Sequence, residues 1–275
     1  MKINKIHTLT ALITLMGLFA TLSGLLDQNT YINDSLSATA QMMGQDLVTL
    51  TTGIPLIIIS AYLSRSSAKA RLLWMGGMFY FTYTYASMAF LASYNSLFLL
   101  YVGILALSLY GLMGELFTTT YRVKVDEKKS GFTAIYLTLT GLMLAAMWIK
   151  MITDSLITGM APGALEGYTT LVIQALDLGV VVPAALLTSY FLLKREVWGY
   201  VLAPVFLVKV SLLGTAILSM VAFMAMEGVP FSWGQAAFFM VLTFTGLAVT
   251  GIFYRGMAIT SGRLTLDEGY AGNTG

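Results

Sequence analysis

The chain has 275 residues, of which 57% are hydrophobic and only 10% are charged, and its formal net charge is +2. Because a soluble globular domain carries about 25% charged residues, this composition excludes an ordinary soluble protein and indicates an integral membrane protein. The chain has no cysteine and one histidine, His7, which excludes disulfides, cysteine nucleophiles and thiolate metal sites and argues against a histidine metal centre. We expect no cofactor and no nucleic-acid partner.

Eight long apolar runs predict an all-α membrane protein with eight transmembrane helices. Each run has about the 20 residues needed to cross a bilayer, and each is continuously apolar rather than alternating as in barrel strands. The first run follows Lys2 and Lys5 as in a signal peptide, but no small-residue cleavage site follows it, so we interpret it as a retained helix. The runs cover residues 7–26, 46–64, 72–93, 97–117, 131–152, 171–193, 198–226 and 231–254.

The basic residues predict an orientation in the membrane. The connecting segments 27–45, 94–96, 153–170 and 227–230 contain no Lys or Arg. By the positive-inside rule, both termini are expected in the cytoplasm, in a multi-pass protein of the cytoplasmic membrane. Only Lys150 and Lys209 depart from the pattern. The other 13 of the 15 basic residues fall on one side: Lys2, Lys5, Arg65, Lys69, Arg71, Arg122, Lys124, Lys128, Lys129, Lys194, Arg195, Arg255 and Arg263.

The two halves of the chain resemble each other in the order of their motifs. Helix 2 opens with "QDLVTLTTGIPLI" and helix 6 with "QALDLGVVVPAAL", so each has a Gln and an Asp followed by a proline. Trp74 and Trp198 then begin the next helices. We predict two parallel four-helix repeats, residues 1–129 and 130–275, with any site between them. Ordinary interface chemistry of Trp and Pro is the alternative explanation.

Asp177 and Lys209 are the ionisable residues predicted to lie deepest in the membrane. A rise of 1.5 Å per residue puts Lys209 roughly 16 Å from the basic-side boundary and Asp177 roughly 25 Å from it. A lysine at the centre of a membrane helix costs about 2.5–3.5 kcal/mol on insertion scales. Since helices 6 and 7 are expected to be neighbours, an ion pair between these residues is plausible, serving either ligand binding or helix packing alone.

Other polar side chains complete the candidate site. Helix 3 carries Tyr83 and Tyr85 in "FYFTYTYASMAF", and the repeat register sets Tyr85 opposite Lys209. Gln174 and Asp46 lie near the outer ends of their helices, and Lys150 lies four residues before Asp154 on one helix face. Polar aromatic faces suit a small amphipathic ligand, although they suit hydrogen-bonded helix packing equally.

Several segments resemble a family of uncharacterised prokaryotic polytopic membrane proteins with eight spans. They are "QDLVTL", "TYTYASMAFLASYNSLFLLYV", "QALDLGVVVPAALL" and "WGYVLAPVFLVKVSLLG", which together cover most of the chain from helix 2 through helix 7. The resemblance implies a bacterial or archaeal cytoplasmic membrane and no named activity.

From these features we predict a transporter or permease for a small solute or ion. Asp177 would bind a cation or proton, Lys209 would pair with it or with a substrate anion, and Tyr83 and Tyr85 would shape the cavity. The main alternative is a membrane sensor or accessory subunit in which the Asp–Lys pair only locks the helices, and an intramembrane enzyme acting on lipid is a third. The bilayer itself and a small molecule or ion are the expected partners, and an oligomer is compatible with the sequence.

Overall fold

Eight long α-helices make up most of the chain in the computed structural model. The structure describes residues 1–27, 29–118 and 121–261, without the side chains of residues 121, 122, 124, 260 and 261. Arg263 therefore lies outside the described residues, as do the side chains of Arg122 and Lys124. The predicted all-α fold and its helix number are confirmed. The helices are α1 (Ile3–Leu26), α2 (Leu36–Leu63), α3 (Ala68–Phe90), α4 (Phe98–Thr118), α5 (Glu127–Thr158), α6 (Val172–Leu193), α7 (Val197–Met226) and α8 (Trp233–Gly256).

Seven of these helices are long and apolar enough to cross a membrane, and α3 is the exception. The α3 helix has sufficient length, but Lys69, Arg71 and a row of Tyr, Thr and Ser side chains lower its apolar character. Most of α3 is buried, so its polar groups face protein rather than the outside of the bundle. Large apolar side chains such as Leu15 and Phe117 are instead exposed on other helices, as contact with lipid requires.

The described connections gather at two ends of the bundle. We call the end that holds residues 64–67 and 194–196 the basic end, and the end that holds residues 29–35, 91–97, 159–171 and 227–232 the opposite end. At the basic end, Arg71 Nε lies 3.2 Å from Glu115 Oε1. At the opposite end, the Ser93 amide donates to Asp34 over 2.7 Å. The alternation of the connections follows the sequence prediction.

The helices pack in the same pattern within each half of the chain. In the first half, α1 packs on α2, α2 on α3, α3 on α4, and α1 on α4. In the second half, the corresponding pairs are α5–α6, α6–α7, α7–α8 and α5–α8. Between the halves, α7 packs against both α2 and α3, and α3 also contacts α6. The most buried helices, α3 and α7, thus occupy matching positions at the boundary between two four-helix groups.

Glycines bring the backbones of the two halves together. A Cβ atom on Gly44 of α2 would lie 2.6 Å from the Cα atom of Met220 in α7. A Cβ atom on Gly76 of α3 would lie 2.5 Å from the Cβ atom of Val208 in α7. Small residues allow this kind of close helix crossing, which is a usual feature of membrane bundles.

Helices α2 and α6 each contain a widened turn just before a proline. In α2 the π turn covers Thr49–Gly53 and Pro55 follows, and in α6 it covers Asp177–Val181 and Pro183 follows. The two turns are therefore separated by the same number of residues along the chain as the two prolines. Proline lacks the N–H that would close the preceding turn, so the helix widens there and a carbonyl is left open.

A two-stranded ribbon joins the end of the first half to the C-terminal side of α8. Strand β1 (Tyr121–Val125) pairs antiparallel with β2 (Met257–Ser261), with Val123 opposite Ile259. The first five residues of "YRVKVDEKKSG" thus form a strand between two helices. The pairing partner follows the last helix of the chain, and therefore local sequence does not indicate it. Helix α2 also begins about ten residues earlier than predicted, where Ser35 accepts a hydrogen bond from the Ala38 amide as its N-cap.

Candidate functional site

A large cavity opens toward the opposite end of the bundle. Its volume is about 1050 Å³, and its walls come from α2 and α3 of the first half and α5, α6, α7 and α8 of the second. Ligand pockets in proteins typically measure about 300–1000 Å³, so there is room here for a small organic molecule. Four of the predicted site residues, Tyr83, Gln174, Asp177 and Lys209, line it.

Asp177 occupies the first position of the widened turn in α6. Its side chain is buried, and each carboxylate oxygen accepts one hydrogen bond. The Tyr83 hydroxyl donates to Oδ1 over 2.7 Å, and the Trp148 indole N–H donates to Oδ2 over 2.8 Å. Widened turns are frequent at functional sites because they turn a side chain and a free carbonyl toward a cavity. Asp177 is thus held by donors from α3 and α5.

Lys209 lies at the depth of the cavity floor. It follows Val197 by twelve residues, which at 1.5 Å per residue is about 18 Å along α7. Its side chain is 0% exposed, and Nζ has no hydrogen-bond partner in the part of the chain that the structure describes. The ammonium lies over two aromatic rings, 4.0 Å from the Tyr83 centroid and 5.7 Å from the Phe79 centroid. Such cation–π contacts contribute about 0.5–2 kcal/mol.

Asp177 and Lys209 are close enough to interact electrostatically but do not form a direct ion pair among the described side chains. Tyr83 lies between them, since its hydroxyl contacts Asp177 and its ring face contacts Lys209. The ion pair between Asp177 and Lys209 that the sequence suggests is therefore replaced by contacts of both residues with one tyrosine. Tyr83 belongs to the first half, whereas Asp177 and Lys209 belong to the second, so this polar cluster crosses the boundary between the halves.

A further polar atom in the cavity wall, Nε2 of Gln45 on α2, is buried without a partner in the described structure. Buried side-chain polar atoms usually find a partner, and an unmade hydrogen bond costs about 1–3 kcal/mol. Gln45 Nε2 and Lys209 Nζ are thus two donors in one cavity that a polar ligand could satisfy.

Tyr85 and Asp46 lie away from the cavity, within the first half. Tyr85 follows Tyr83 by two positions, which turns it to the other side of α3, and its ring stacks on Phe81 with centroids 5.9 Å apart. Asp46 is buried and accepts a hydrogen bond of 2.7 Å from the Tyr31 hydroxyl. It packs against Gly24, where a Cβ atom would overlap its carboxylate. Tyr85, which the sequence predicts to shape the cavity, is therefore not among the residues that line it.

Lys150 also lies outside the cavity. It forms an ion pair with Asp154 one turn further along α5, as the sequence spacing predicts. Both side chains are largely exposed, at 76% and 57%. An exposed pair of this kind contributes about 0–1 kcal/mol, so we assign it no part in the site.

Trp148 is a site residue that the sequence did not predict. It donates to Asp177 from α5 and lines the cavity. In the sequence it lies four residues before the end of the predicted run 131–152, where tryptophan is common at a membrane boundary, so no local signal marked it. In the structure α5 continues to Thr158, and Trp148 lies further inside the helix.

The cavity mouth is crossed by a contact between loops of the two halves. The Tyr168 hydroxyl donates to Asp34 Oδ1 over 2.7 Å, and Ser35 donates to Glu166. Burial raises the pKa of the Tyr168 hydroxyl above its usual range, and the hydrogen bond to Asp34 adds to this rise. The hydroxyl therefore stays protonated, and able to donate, at neutral pH.

Within the described residues, no group of three His, Cys, Asp or Glu side chains could hold a metal ion. No family model, curated protein or solved structure matches the chain. The resemblance to a family of uncharacterised eight-span membrane proteins stays a prediction.

Proposed function

We propose that this protein is a transporter or permease for a small solute, located in the cytoplasmic membrane with both termini in the cytoplasm. One observation carries the proposal: a fully buried lysine without a hydrogen-bond partner in the described structure lies at the floor of a cavity whose walls come from both halves. Ionisable groups at this depth in a membrane protein usually serve binding or transport, because their burial is costly.

The arrangement of the halves supports this proposal. Residues 1–129 and 130–275 contribute four-helix groups with the same packing pattern, and a widened turn followed by a proline recurs at the matching place in each. We infer that the halves are parallel repeats. Many transporters are built from such repeats, bind the substrate between them and alternate access by rocking one against the other.

The polar cluster offers a means of coupling binding to such a motion. Tyr83 connects the first half to Asp177 and Lys209 of the second half. In the proposed mechanism, a ligand at Lys209 or a proton at Asp177 weakens these contacts and changes the relative stability of two arrangements of the halves. A ligand shifts such an equilibrium only by its difference in affinity for the two states, and Lys209 would supply that difference.

A thermal-unfolding screen of the purified protein tests the binding part of the proposal. The protein, in lipid nanodiscs, is heated with small carboxylates, amines, sugars and inorganic ions beside Lys209→Ala. We expect one compound class to raise the unfolding midpoint of the parent and not that of the variant. If no compound acts and Lys209→Ala alone lowers the midpoint sharply, Lys209 serves packing and the transporter proposal loses its support.

A flux assay tests transport directly. A compound found in the screen is radiolabelled, and its uptake into proteoliposomes is measured for the parent, Asp177→Asn and Asp154→Asn. We expect Asp177→Asn to lose most uptake and Asp154→Asn, at an exposed position, to keep it. Full uptake by Asp177→Asn would overturn the coupling mechanism.

A membrane sensor or accessory subunit is the second candidate. It is favoured by the self-contained bonding of Asp177, whose two oxygens are already satisfied by Tyr83 and Trp148. In that case the cluster would hold α3, α5 and α6 together. Co-purification with a defined partner chain, together with the absence of flux for every compound that binds, would support this candidate.

A further inference from the structure

The ammonium of Lys209 lacks a hydrogen-bond acceptor among the described residues. A lysine ammonium has three donors and no acceptor, and none of the three finds a partner in the described structure. The aromatic rings of Tyr83 and Phe79 offset part of its charge but accept no conventional hydrogen bond. A negatively charged oxygen would satisfy both the charge and the donors, and charge-assisted hydrogen bonds are roughly twice as strong as neutral ones.

Asp177 does not fill this role. Its oxygens accept from the Tyr83 hydroxyl and the Trp148 indole, and those two bonds hold the carboxylate beyond ion-pair distance of Lys209. Among the residues that the structure describes, Lys209 is also the only Lys or Arg in the cavity wall. The cavity thus offers one cationic group, which suits a ligand with one negative charge better than a dianionic phosphate.

The rest of the cavity wall suits an apolar body. Seven methionines line it, among them Met147 and Met220, together with Phe238, Phe239 and the ring of Trp148. Methionine is flexible and polarisable, so a wall rich in it adapts to irregular apolar shapes. The unpartnered amide donor of Gln45 lies in the same wall.

We propose that the cavity binds an amphipathic monocarboxylate, with the carboxylate on Lys209 and the apolar body against the methionine-rich wall toward the opposite end. This inference deepens the proposed function and rests on it, since it names the substrate class of the same site. An amine would be repelled by Lys209, and a neutral analogue would leave its charge unmatched. An anion of the same shape with a larger charge would lack a second cation.

The test compares three ligands that differ only in the head group: 4-phenylbutyrate, 4-phenylbutan-1-ol and 4-phenylbutylamine. Their affinities for the full-length protein in nanodiscs are measured by isothermal titration calorimetry. We expect the acid to bind at least tenfold more tightly than the alcohol, and the amine to bind least. Equal affinities would overturn the assignment of the carboxylate to Lys209, and tightest binding of the amine would assign the head group to Asp177 instead.

Variants locate the two ends of the ligand. Lys209→Met removes the charge and keeps an unbranched side chain one atom shorter, and we expect it to lose at least tenfold in affinity for the acid while keeping that for the alcohol. The exposed Lys128→Met is the matched control and should bind like the parent. If Lys209→Met does not fold, Ile217→Trp, which fills the cavity above Lys209, should weaken all three ligands. Unchanged binding of the acid by Ile217→Trp would contradict the proposed position of the apolar body.

Failure of the proposed ligand class can be distinguished from failure of the proposed transport function. If the acid binds at Lys209 but shows no flux in proteoliposomes, the ligand class stands and the transporter does not. A second monocarboxylate, decanoate, is tested in the same way. If neither 4-phenylbutyrate nor decanoate binds while another solute is transported, the proposed ligand class is wrong and the proposed transport function stands. Mass spectrometry of solvent-extracted protein separates the two sources of such acids, because a fatty acid from the bilayer co-purifies and a soluble acid does not.

Discussion

The ammonium nitrogen of Lys209 lies 4.0 Å from the centre of the Tyr83 ring. The two residues belong to α7 and α3, the central helices of the two halves, so this contact spans their boundary. The hydroxyl of the same tyrosine donates to Asp177. One side chain thus stands between Asp177 and Lys209, two buried ionisable residues that line the cavity.

Removing the Tyr83 hydroxyl tests its bond to Asp177. We expect Tyr83→Phe to lower the free energy of unfolding by about 1–3 kcal/mol, because a buried carboxylate oxygen loses its donor while the ring under Lys209 remains. Tyr83→Leu, which also removes the ring, should lower it further by about 0.5–2 kcal/mol. The measurement is unfolding in nanodiscs, with the exposed Tyr110→Phe as control. Equal stability of the parent and Tyr83→Phe would contradict the assigned bond.

A methyl group at Gly44 tests the close crossing of α2 and α7. The Cβ atom would lie 2.6 Å from the Cα atom of Met220, so the two backbones must separate. We expect Gly44→Ala to destabilise the protein by about 1–3 kcal/mol, as overpacking does. Gly251→Ala in α8 is the matched control, since nothing lies within 4 Å of its added Cβ atom. If the two variants unfold at the same temperature, the halves do not meet at Gly44.

The contact at the cavity mouth can be loosened selectively. We expect Tyr168→Phe to raise amide hydrogen exchange in residues 159–171 several-fold, because the loop loses its bond to Asp34. Exchange within α5 and α7 should stay unchanged. Faster exchange throughout the bundle would show instead that Tyr168 stabilises the whole fold, and unchanged exchange in the loop would show that the bond does not hold it.

The natural absence of cysteine makes the topology directly testable. We introduce single cysteines at Ser66 and Ser96, two exposed positions at the basic and opposite ends. If both termini are cytoplasmic, a membrane-impermeant maleimide should label Ser96→Cys in intact cells and Ser66→Cys only after permeabilisation. The reverse pattern would invert the orientation, and labelling of both in intact cells would contradict eight spans.

Several features could be predicted from local sequence because their physical cause is local. Apolar runs of bilayer length specify helices, since no water is available in the hydrocarbon to satisfy an open backbone. Lys150 and Asp154 pair as their spacing predicts, because four residues make about one helical turn. The depth of Lys209 followed from counting residues along α7.

By itself, then, the sequence determined the number of helices, the segregation of basic residues to one end and the presence of buried charges at Asp177 and Lys209. Only the tertiary structure decided which groups surround those charges. Tyr83 and Tyr85 have the same chemistry and lie two positions apart, yet α3 turns one toward Lys209 and the other toward Phe81. Trp148 and Gln45 reach the cavity, and β1 pairs with β2, through contacts between distant segments. The physical reason is that such contacts depend on how the helices are rotated and crossed, which residue spacing along one helix does not specify.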